Sequence, residues 1–379
     1  MKKRHLLAPG PTQVLPEALL AMARPILYHR GPEYEVLLAS VREGLKFLFQ
    51  TKNEVLLFTS SGTGGMEGAV VNTLSPGDRA LVIRGGKFGE RWGEICEAYG
   101  LQPSYIDVEW GRAVEPDLVA AALTADPSIK AVFTTHSESS TGVLHDIEAI
   151  ARIVGKTPAI LIVDAITSVG VVDLPMDAWG VDVVVGGTQK ALMIPPGLAL
   201  CGVSDKAWAM VQRSRLPKFY FNFIAERKSL EKNQNTFTPA VSLVVALHES
   251  LAVIRAEGLT ALFARHDRLA RATRAGVMAL GLQLFTERPT PALTTIIAPP
   301  GIEAGAIVKR LRAAHGITIS GGQAQLKGKI FRLAHLGYAD ESDVVVCLAA
   351  LERTLADLGY PVKLGEGIRA AQEVLVQAC

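Results

Sequence analysis

The 379-residue sequence offers little that points to a metal, a membrane or a nucleic acid. Its four cysteines, Cys96, Cys201, Cys347 and Cys379, are widely separated and form no CxxC pair, which favours reduced thiols in the cytoplasm. The eight histidines are dispersed, so no metal site is predicted, and a net charge of +2 creates no strong field for nucleic acid. No run approaches the roughly 18 apolar residues of a membrane span, and the start "MKKRHLLAPGPT" lacks an apolar signal core.

What the sequence does contain is alternation of buried strands and helices. The apolar runs "EVLLFTS", "RALVIRG", "KAVFTTH", "AILIVDA" and "VDVVVGG" are separated by helix-like segments such as "DIEAIARIVG". Continuous apolar strands of this kind are typical of a parallel sheet that is covered on both faces. We therefore predict an α/β domain, preceded by an irregular arm over 1–20 that contains "APGPTQVLP" and followed by a smaller α+β domain.

Polar residues follow several of these strands, at the sheet edge where open α/β folds bind ligands. Ser61 and Thr63 lie in "SSGTGGMEG", where small residues lead directly into a helix whose N-terminus favours an anion. The segment is neither a P-loop nor a GxGxxG motif, and a tight strand–helix turn is the alternative. Asp164 ends a buried strand. The alternatives for such a carboxylate are a helix cap, a partner in an ion pair and a functional group. Lys190 follows another strand, as either a snorkelling lysine or an activated amine.

One ligand accounts for the anion cradle, the carboxylate and the lysine together. Pyridoxal 5'-phosphate needs a phosphate site, a carboxylate beside its pyridine nitrogen and a lysine amine for its aldehyde. Asp164 and Lys190 are 26 positions apart, which leaves room for one crossover and the next strand. The combination predicts a pyridoxal phosphate site at this edge.

The sequence resembles the class V aminotransferases, in particular the alanine–glyoxylate and serine–pyruvate or serine–glyoxylate group. The resemblance rests on "LLAPGPT", "YHRGPEYEVL", "SGTGGMEGAVVN", "THSESSTGV", "VDAITSVG" and "GGTQKAL" followed by "PPG", in family order. It implies fold type I of the pyridoxal phosphate enzymes (aspartate-aminotransferase-like), with a mostly parallel seven-stranded sheet. The expected divisions are the arm over 1–20, a large cofactor-binding domain over 21–258 and a small domain over 259–379.

The same resemblance implies a role for individual residues. Lys190 would bind the cofactor covalently and act as the acid–base catalyst, and Asp164 would pair with the pyridine nitrogen. Arg332 would clamp the substrate carboxylate, and Gly10 would line the substrate pocket. The remaining expected cofactor contacts are Ser61, Gly62, Thr63, Phe88, Ser139, Gln189 and, from the neighbouring subunit of a homodimer, Thr238.

Two residues depart from the family pattern. Many relatives have Trp where this chain has Phe88, and some carry Tyr where it has Asn235. The expected activity is a ping-pong transamination from a small L-amino acid, alanine or serine, to glyoxylate or pyruvate. Ureidoglycine or aminophosphonate transamination, desulfurase or lyase chemistry and a non-catalytic subunit of the same fold stay open as alternatives.

Overall fold

A computed structural model describes residues 3–377 of the chain. Its centre is a seven-stranded sheet with the order β2–β10–β9–β8–β5–β3–β4. All neighbouring pairs are parallel except those made by β10, which runs antiparallel to both β2 and β9. The strands are β2 (Val55–Thr59), β3 (Arg79–Arg84), β4 (Gln102–Asp107), β5 (Ala131–Thr135), β8 (Ile160–Asp164), β9 (Val183–Gly187) and β10 (Leu198–Val203). The prediction of a mostly parallel seven-stranded sheet is confirmed.

Helices cover this sheet and bury its apolar strands in one large core. In chain order they are α1 (Pro16–Met22), α2 (Pro32–Phe49), α3 (Gly62–Thr73), α4 (Lys87–Ala98), α5 (Pro116–Ala125), α6 (Ile147–Val154), α7 (Met176–Trp179), α8 (Asp205–Val211), α9 (Phe223–Leu230) and α10 (Val241–Glu257). Between β5 and α6, the hairpin strands β6 (Ser137–Glu138) and β7 (Val143–Leu144) pair with each other.

The C-terminal part builds a second hydrophobic core around an antiparallel sheet with the order β11–β14–β13. Its elements are α11 (Leu259–Ala279), β11 (Leu293–Ile297), α12 (Ala304–Arg310), a π-helical turn (Leu311–His315), β12 (Ile317–Thr318), β13 (Ser320–Gly321), a 3-10 turn (Ala324–Leu326), β14 (Ile330–Ala334), α13 (Glu341–Asp357) and α14 (Glu366–Leu375). The boundary at 258 stays a prediction, since α11 contributes Leu262 to the first core and Leu269 to the second.

Two local features differ from the sequence-based picture. The arm is more regular than its prolines suggest, because β1 (His5–Leu6) pairs in parallel with β12 and α1 begins at Pro16. Strand β4 was not recognised, because this edge strand is only half-buried and "QPSYID" lacks a continuous apolar run. Over residues 3–377, no helix is long and apolar enough to cross a membrane.

Candidate active site

Lys190 lies just beyond the carboxyl end of β9, and its side chain is enclosed by the arm. The residue is 8% exposed, and its Nζ donates a hydrogen bond to the Pro9 carbonyl oxygen at 2.5 Å. A Cβ at Gly10 would lie 2.4 Å from that Nζ, so a side chain here would displace the lysine or the arm. Burial lowers the pKa of Lys190 to about 8, and nearby Asp164 opposes the shift. An amine with this pKa is available as a nucleophile near neutral pH.

Asp164 ends β8, the strand beside β9, and it pairs with Val185 in the register of the sheet. Its carboxyl is 3% exposed, and Oδ1 accepts a hydrogen bond from the Ile166 amide at 2.9 Å. Burial raises its pKa to about 7, while the hydrogen bond from Ile166 and the positive charge of Lys190 work in the opposite direction. A buried carboxylate of this kind is stabilised by a cationic group placed against it.

The start of α3 supplies polar groups on the same side of the sheet. Ser61 is the N-cap residue, but its side chain makes no capping hydrogen bond, so its hydroxyl is not committed to the helix. Oε1 of Gln189 is buried and has no hydrogen-bond partner among the described residues. A helix N-terminus is a ready anion site, and a buried acceptor without a partner needs a hydrogen-bond donor from a ligand or a water. Together with Lys190 and Asp164, these groups fit pyridoxal phosphate.

A cavity of about 290 Å³ brings most of the predicted residues together. Eight of the eleven expected cofactor and substrate residues line it, namely Gly10, Ser61, Gly62, Thr63, Phe88, Asp164, Gln189 and Lys190. The cavity therefore joins the arm, the start of α3, the start of α4 and the ends of β8 and β9. Their roles toward the cofactor stay predictions, but their convergence on one cavity is a feature of the fold.

Arg332 and Ser139 are not among the residues that line the cavity. Arg332 comes from β14, and its Nη1 donates to the Ser139 carbonyl oxygen at 2.6 Å. Its Nε and Nη2 both donate to the Gly321 carbonyl oxygen, at 3.1 Å and 2.7 Å. Burial lowers the pKa of Arg332 to about 10, so the guanidinium remains charged at neutral pH. Three of its five N–H groups are thus held by backbone carbonyls, which fixes the direction of the others.

Thr238 lies outside this chain's own cavity. It is exposed and borders a separate small depression together with Tyr220, Asn235 and Phe237. Asn235, the departure noted in the sequence, is buried; its Oδ1 accepts from the Tyr34 hydroxyl at 2.6 Å, and its Nδ2 donates to Glu226 at 2.7 Å. Asn235 therefore acts as an internal anchor of the loop that presents Thr238.

Sequence reasoning missed Arg91, which also lines the cavity. Its Nη1 donates to the Thr63 hydroxyl at 3.2 Å, and its guanidinium carbon lies 4.9 Å from the centre of the Phe88 ring. The signal was weak because an arginine in an amphipathic helix such as α4 usually faces solvent. The spacing of three residues after Phe88, which places both on one helix face, could have found it.

The cysteines stand apart from the site. Cys96, Cys201 and Cys347 are free thiols buried in the hydrophobic cores, and burial raises the pKa of each of them. Cys379 lies outside the described residues. Over 3–377, no three His, Cys, Asp or Glu side chains are grouped as a metal centre requires.

The site and fold define a pyridoxal phosphate enzyme of fold type I, and comparison with known proteins agrees. The profile of the family described as "Aminotransferase class-V" matches residues 15–337. The chain therefore belongs to the class V aminotransferases, and its cofactor is pyridoxal phosphate. The resemblance seen in the sequence is confirmed.

Three curated relatives and one solved structure are similar over nearly their full lengths. A protein named soluble hydrogenase, small subunit, from Synechococcus is 46% identical, with 99% of each chain covered. An L-aspartate–glyoxylate aminotransferase from Paracoccus denitrificans is 40% identical, with coverage of 96% and 94%. A serine–glyoxylate aminotransferase from Hyphomicrobium methylovorum is 39% identical, with coverage of 97% and 94%. The crystal structure of ureidoglycine–glyoxylate aminotransferase from Bacillus subtilis has a TM-score of 0.95 at 30% identity, with coverage of 100% and 99%.

Proposed function

We propose that the protein transfers an amino group from a small L-amino acid, alanine or serine, to glyoxylate or pyruvate by a ping-pong mechanism. The observation that carries this proposal is the convergence of Lys190 and Asp164 on one cavity beneath the start of α3. Glyoxylate as the acceptor is further supported by the names of three similar proteins, each of which is a glyoxylate aminotransferase. The small volume of the cavity favours small substrates.

The residues of this chain divide the chemistry between them. Pyridoxal phosphate, when bound, supplies an electron-withdrawing ring that makes the substrate's Cα proton acidic. The Lys190 amine would hold the cofactor aldehyde and, once the substrate amine has displaced it, would take the proton from the substrate Cα and deliver it to the cofactor's C4′ carbon. Asp164 would keep a proton on the pyridine nitrogen, since its buried carboxylate gains a cationic partner there. The start of α3, with Ser61, Gly62 and Thr63, would bind the phosphate.

Arg332 would orient the substrate through its α-carboxylate. Its two remaining N–H groups suit bidentate contact with a carboxylate, and its backbone partners, Ser139 and Gly321, prevent it from turning away. Phe88, at the start of α4, would pack against the cofactor ring as an apolar face. Ser139 and Gln189 would contact the ring oxygen and the phosphate, respectively.

A homodimer with a site at each interface belongs to the same proposal. Thr238 is exposed and does not line this chain's own cavity, as expected of a residue that serves a neighbouring site. Beside it, Phe219 is 82% exposed and packs at a tilt against Phe237, with the ring centres 5.6 Å apart, and Phe237 stacks with Tyr220 at 5.2 Å. An exposed aromatic cluster of this kind is typical of interface surfaces. A cytoplasmic location completes the proposal and is supported by the free thiols.

Desulfurase chemistry requires a cysteine that can reach the substrate sulfur, and the described cysteines do not fit that role. Cys201 contacts the Gly65 carbonyl from inside the sheet, while Cys96 and Cys347 are buried on helices. Burial also disfavours the thiolate in each case. Transamination uses groups that line the cavity, whereas sulfur transfer would need a cysteine, and none of the described lining residues is one.

The test is a single-turnover screen of amino donors without any acceptor. Holoenzyme is mixed with alanine, serine, glycine, aspartate, an aminophosphonate or ureidoglycine, and the 2-oxo acid released is measured. The proposal predicts about one equivalent of pyruvate from alanine or of hydroxypyruvate from serine, and a second burst only after glyoxylate or pyruvate is added. Aspartate as the fastest donor would overturn the donor assignment, and no 2-oxo acid from any amine would favour a non-catalytic subunit. Release of free ammonia, with no amino group retained on the cofactor, would favour lyase chemistry. Release of sulfide from cysteine, added as a further donor, would favour desulfurase chemistry.

A further inference from the structure

Glu138 is a fully buried carboxylate that contacts the start of α4 beside Phe88. It ends β6, is 0% exposed and has no cationic partner within hydrogen-bonding distance among the described residues. Its Oε2 accepts hydrogen bonds from the amides of Phe88 and Gly89, both at 3.0 Å. Its Oε1 accepts from the Ser140 amide at 3.1 Å and from the Ser140 hydroxyl at 2.5 Å. Burying a charge is costly, and four donors are what makes it tolerable here.

These donors place the carboxylate at the N-terminus of α4, which it reaches from 50 residues further along the chain. The N-cap position is Gly86, which has no side chain to receive the first amides. A Cβ at Gly86 would lie 2.4 Å from the Glu138 Cδ, so the glycine makes room for the carboxylate. The Ser140 hydroxyl accepts from the Lys87 amide at 3.0 Å. Three consecutive amides at the start of α4 are therefore received by Glu138 and Ser140.

The turn over 138–142 also holds Arg332 of the C-terminal part. Ser139 stands between the two capping residues, and its carbonyl oxygen accepts the hydrogen bond from Arg332. The turn is closed by the Gly142 amide, which donates to the Glu138 carbonyl at 2.7 Å. Glu138 thus lies where the start of α4, the 138–142 turn and β14 meet. A change in its carboxylate should be felt first at Phe88, whose amide it holds directly.

We infer that Glu138 is a positioning residue for the cofactor: its carboxylate holds the first turn of α4 so that the Phe88 ring packs against the pyridine ring. The inference rests on the proposed role of Phe88. A general helix cap would stabilise α4 without regard to the cofactor. A positioning cap makes cofactor affinity depend on the carboxylate only while the Phe88 ring is present.

A double-mutant cycle on cofactor affinity separates these two roles. Glu138→Gln keeps the shape but leaves one acceptor oxygen and puts an NH₂ group against N–H donors. We expect it to weaken pyridoxal phosphate binding roughly tenfold, the value of a well-placed aromatic contact. In a Phe88→Ala background the same change should cost less than twofold. Circular dichroism of the bound cofactor should weaken with Glu138→Gln, since the chiral contact with the ring is loosened.

Two further variants keep the test decisive. Gly86→Ala leaves the carboxylate in the chain but drives a Cβ into its Cδ, and it should reproduce the tenfold loss. Ser140→Ala leaves the contacts to Phe88 and Gly89 intact and should cost less than threefold. An equal loss from Glu138→Gln in both backgrounds, in parallel with a lower melting temperature of the apoprotein, would overturn the inference. Failure of the wild-type protein to bind the cofactor at Lys190 would instead overturn the proposed function.

Discussion

The Lys190 Nζ donates to the Pro9 carbonyl oxygen at 2.5 Å, so the reactive amine of the large domain is held by the N-terminal arm. The arm is tied to the same segment a second time, because the Thr12 hydroxyl donates to the Lys190 carbonyl at 2.9 Å. The arm therefore determines where the amine points before the cofactor arrives. This contact must be released when the amine bonds to the cofactor, which makes the arm part of the reaction's geometry.

Gly10 should be the arm position most sensitive to substitution. Gly10→Ala places a Cβ 2.4 Å from the Lys190 Nζ, so either the arm or the lysine must move. We expect cofactor attachment to slow at least tenfold, measured as growth of the visible absorbance of lysine-bound pyridoxal phosphate. Gly305→Ala is the matched control, since its nearest neighbour would lie at 3.7 Å. Attachment at the wild-type rate in Gly10→Ala would contradict the account of the arm.

The buried lysine should cost stability in the cofactor-free protein. Its pKa is about 8 when folded, against an ordinary value of 10.5, so between those pH values the unfolded chain holds a proton that the folded chain has lost. The free energy of unfolding therefore rises between pH 8 and pH 10.5, as the cost of burying a charged lysine disappears. Below pH 8 that cost applies in full. At about 1.4 kcal/mol per pKa unit, Lys190→Met should stabilise the apoprotein by roughly 1–3 kcal/mol at pH 7.

Denaturant unfolding of both apoproteins across pH 7 to 10.5 measures this difference. The advantage of Lys190→Met should shrink as pH rises through the window, because the wild-type amine becomes neutral. Lys52→Met, at an exposed lysine, should show no such trend. A gain that is independent of pH would mean that packing, not the charge of Lys190, is responsible.

Substitution of Arg332 should weaken substrate binding without changing the affinity for the cofactor. Arg332→Lys removes the bidentate grip, and a hydrogen bond to a charged group is worth roughly 1.5–3 kcal/mol, so KM for the amino acid should rise about 10- to 100-fold. Cofactor affinity should change less than twofold. Arg271→Lys, on the surface of α11, serves as the control. A KM at the wild-type value would remove Arg332 from the substrate site.

Thr238 should act on the site of the other subunit, and mixed dimers can show this. When Lys190→Ala and Thr238→Ala chains are combined, each mixed dimer should contain one site with an intact Lys190 and an intact Thr238 and one site that lacks both. Cofactor should bind that site with wild-type affinity, whereas Thr238→Ala homodimers should bind it roughly tenfold more weakly. Weak binding at every site of the mixed dimer would place Thr238 in its own subunit's site.

The sheet and two central site residues, Lys190 and Asp164, were predictable because each depends on local chemistry. A valine run followed by glycines and Lys190, and an apolar strand ending in Asp164, both mark the carboxyl edge of a buried sheet. Glu138 was quoted in its motif but received no role, because its donors come from a helix 50 positions away. Strand β4 was missed because an edge strand lacks the continuous apolar run of the buried ones. The hydrogen bonds between Glu138 and the start of α4 join distant parts of the chain and leave no signature in the local sequence.

The most direct test of the central claim is to trap the lysine–cofactor bond and map it. Holoenzyme is reduced with borohydride, digested and analysed by mass spectrometry for a phosphopyridoxyl group. We expect one modified residue per chain, Lys190, and loss of both the label and the visible absorbance in Lys190→Ala. A label on any other lysine, or turnover by Lys190→Ala at the wild-type rate, would contradict it.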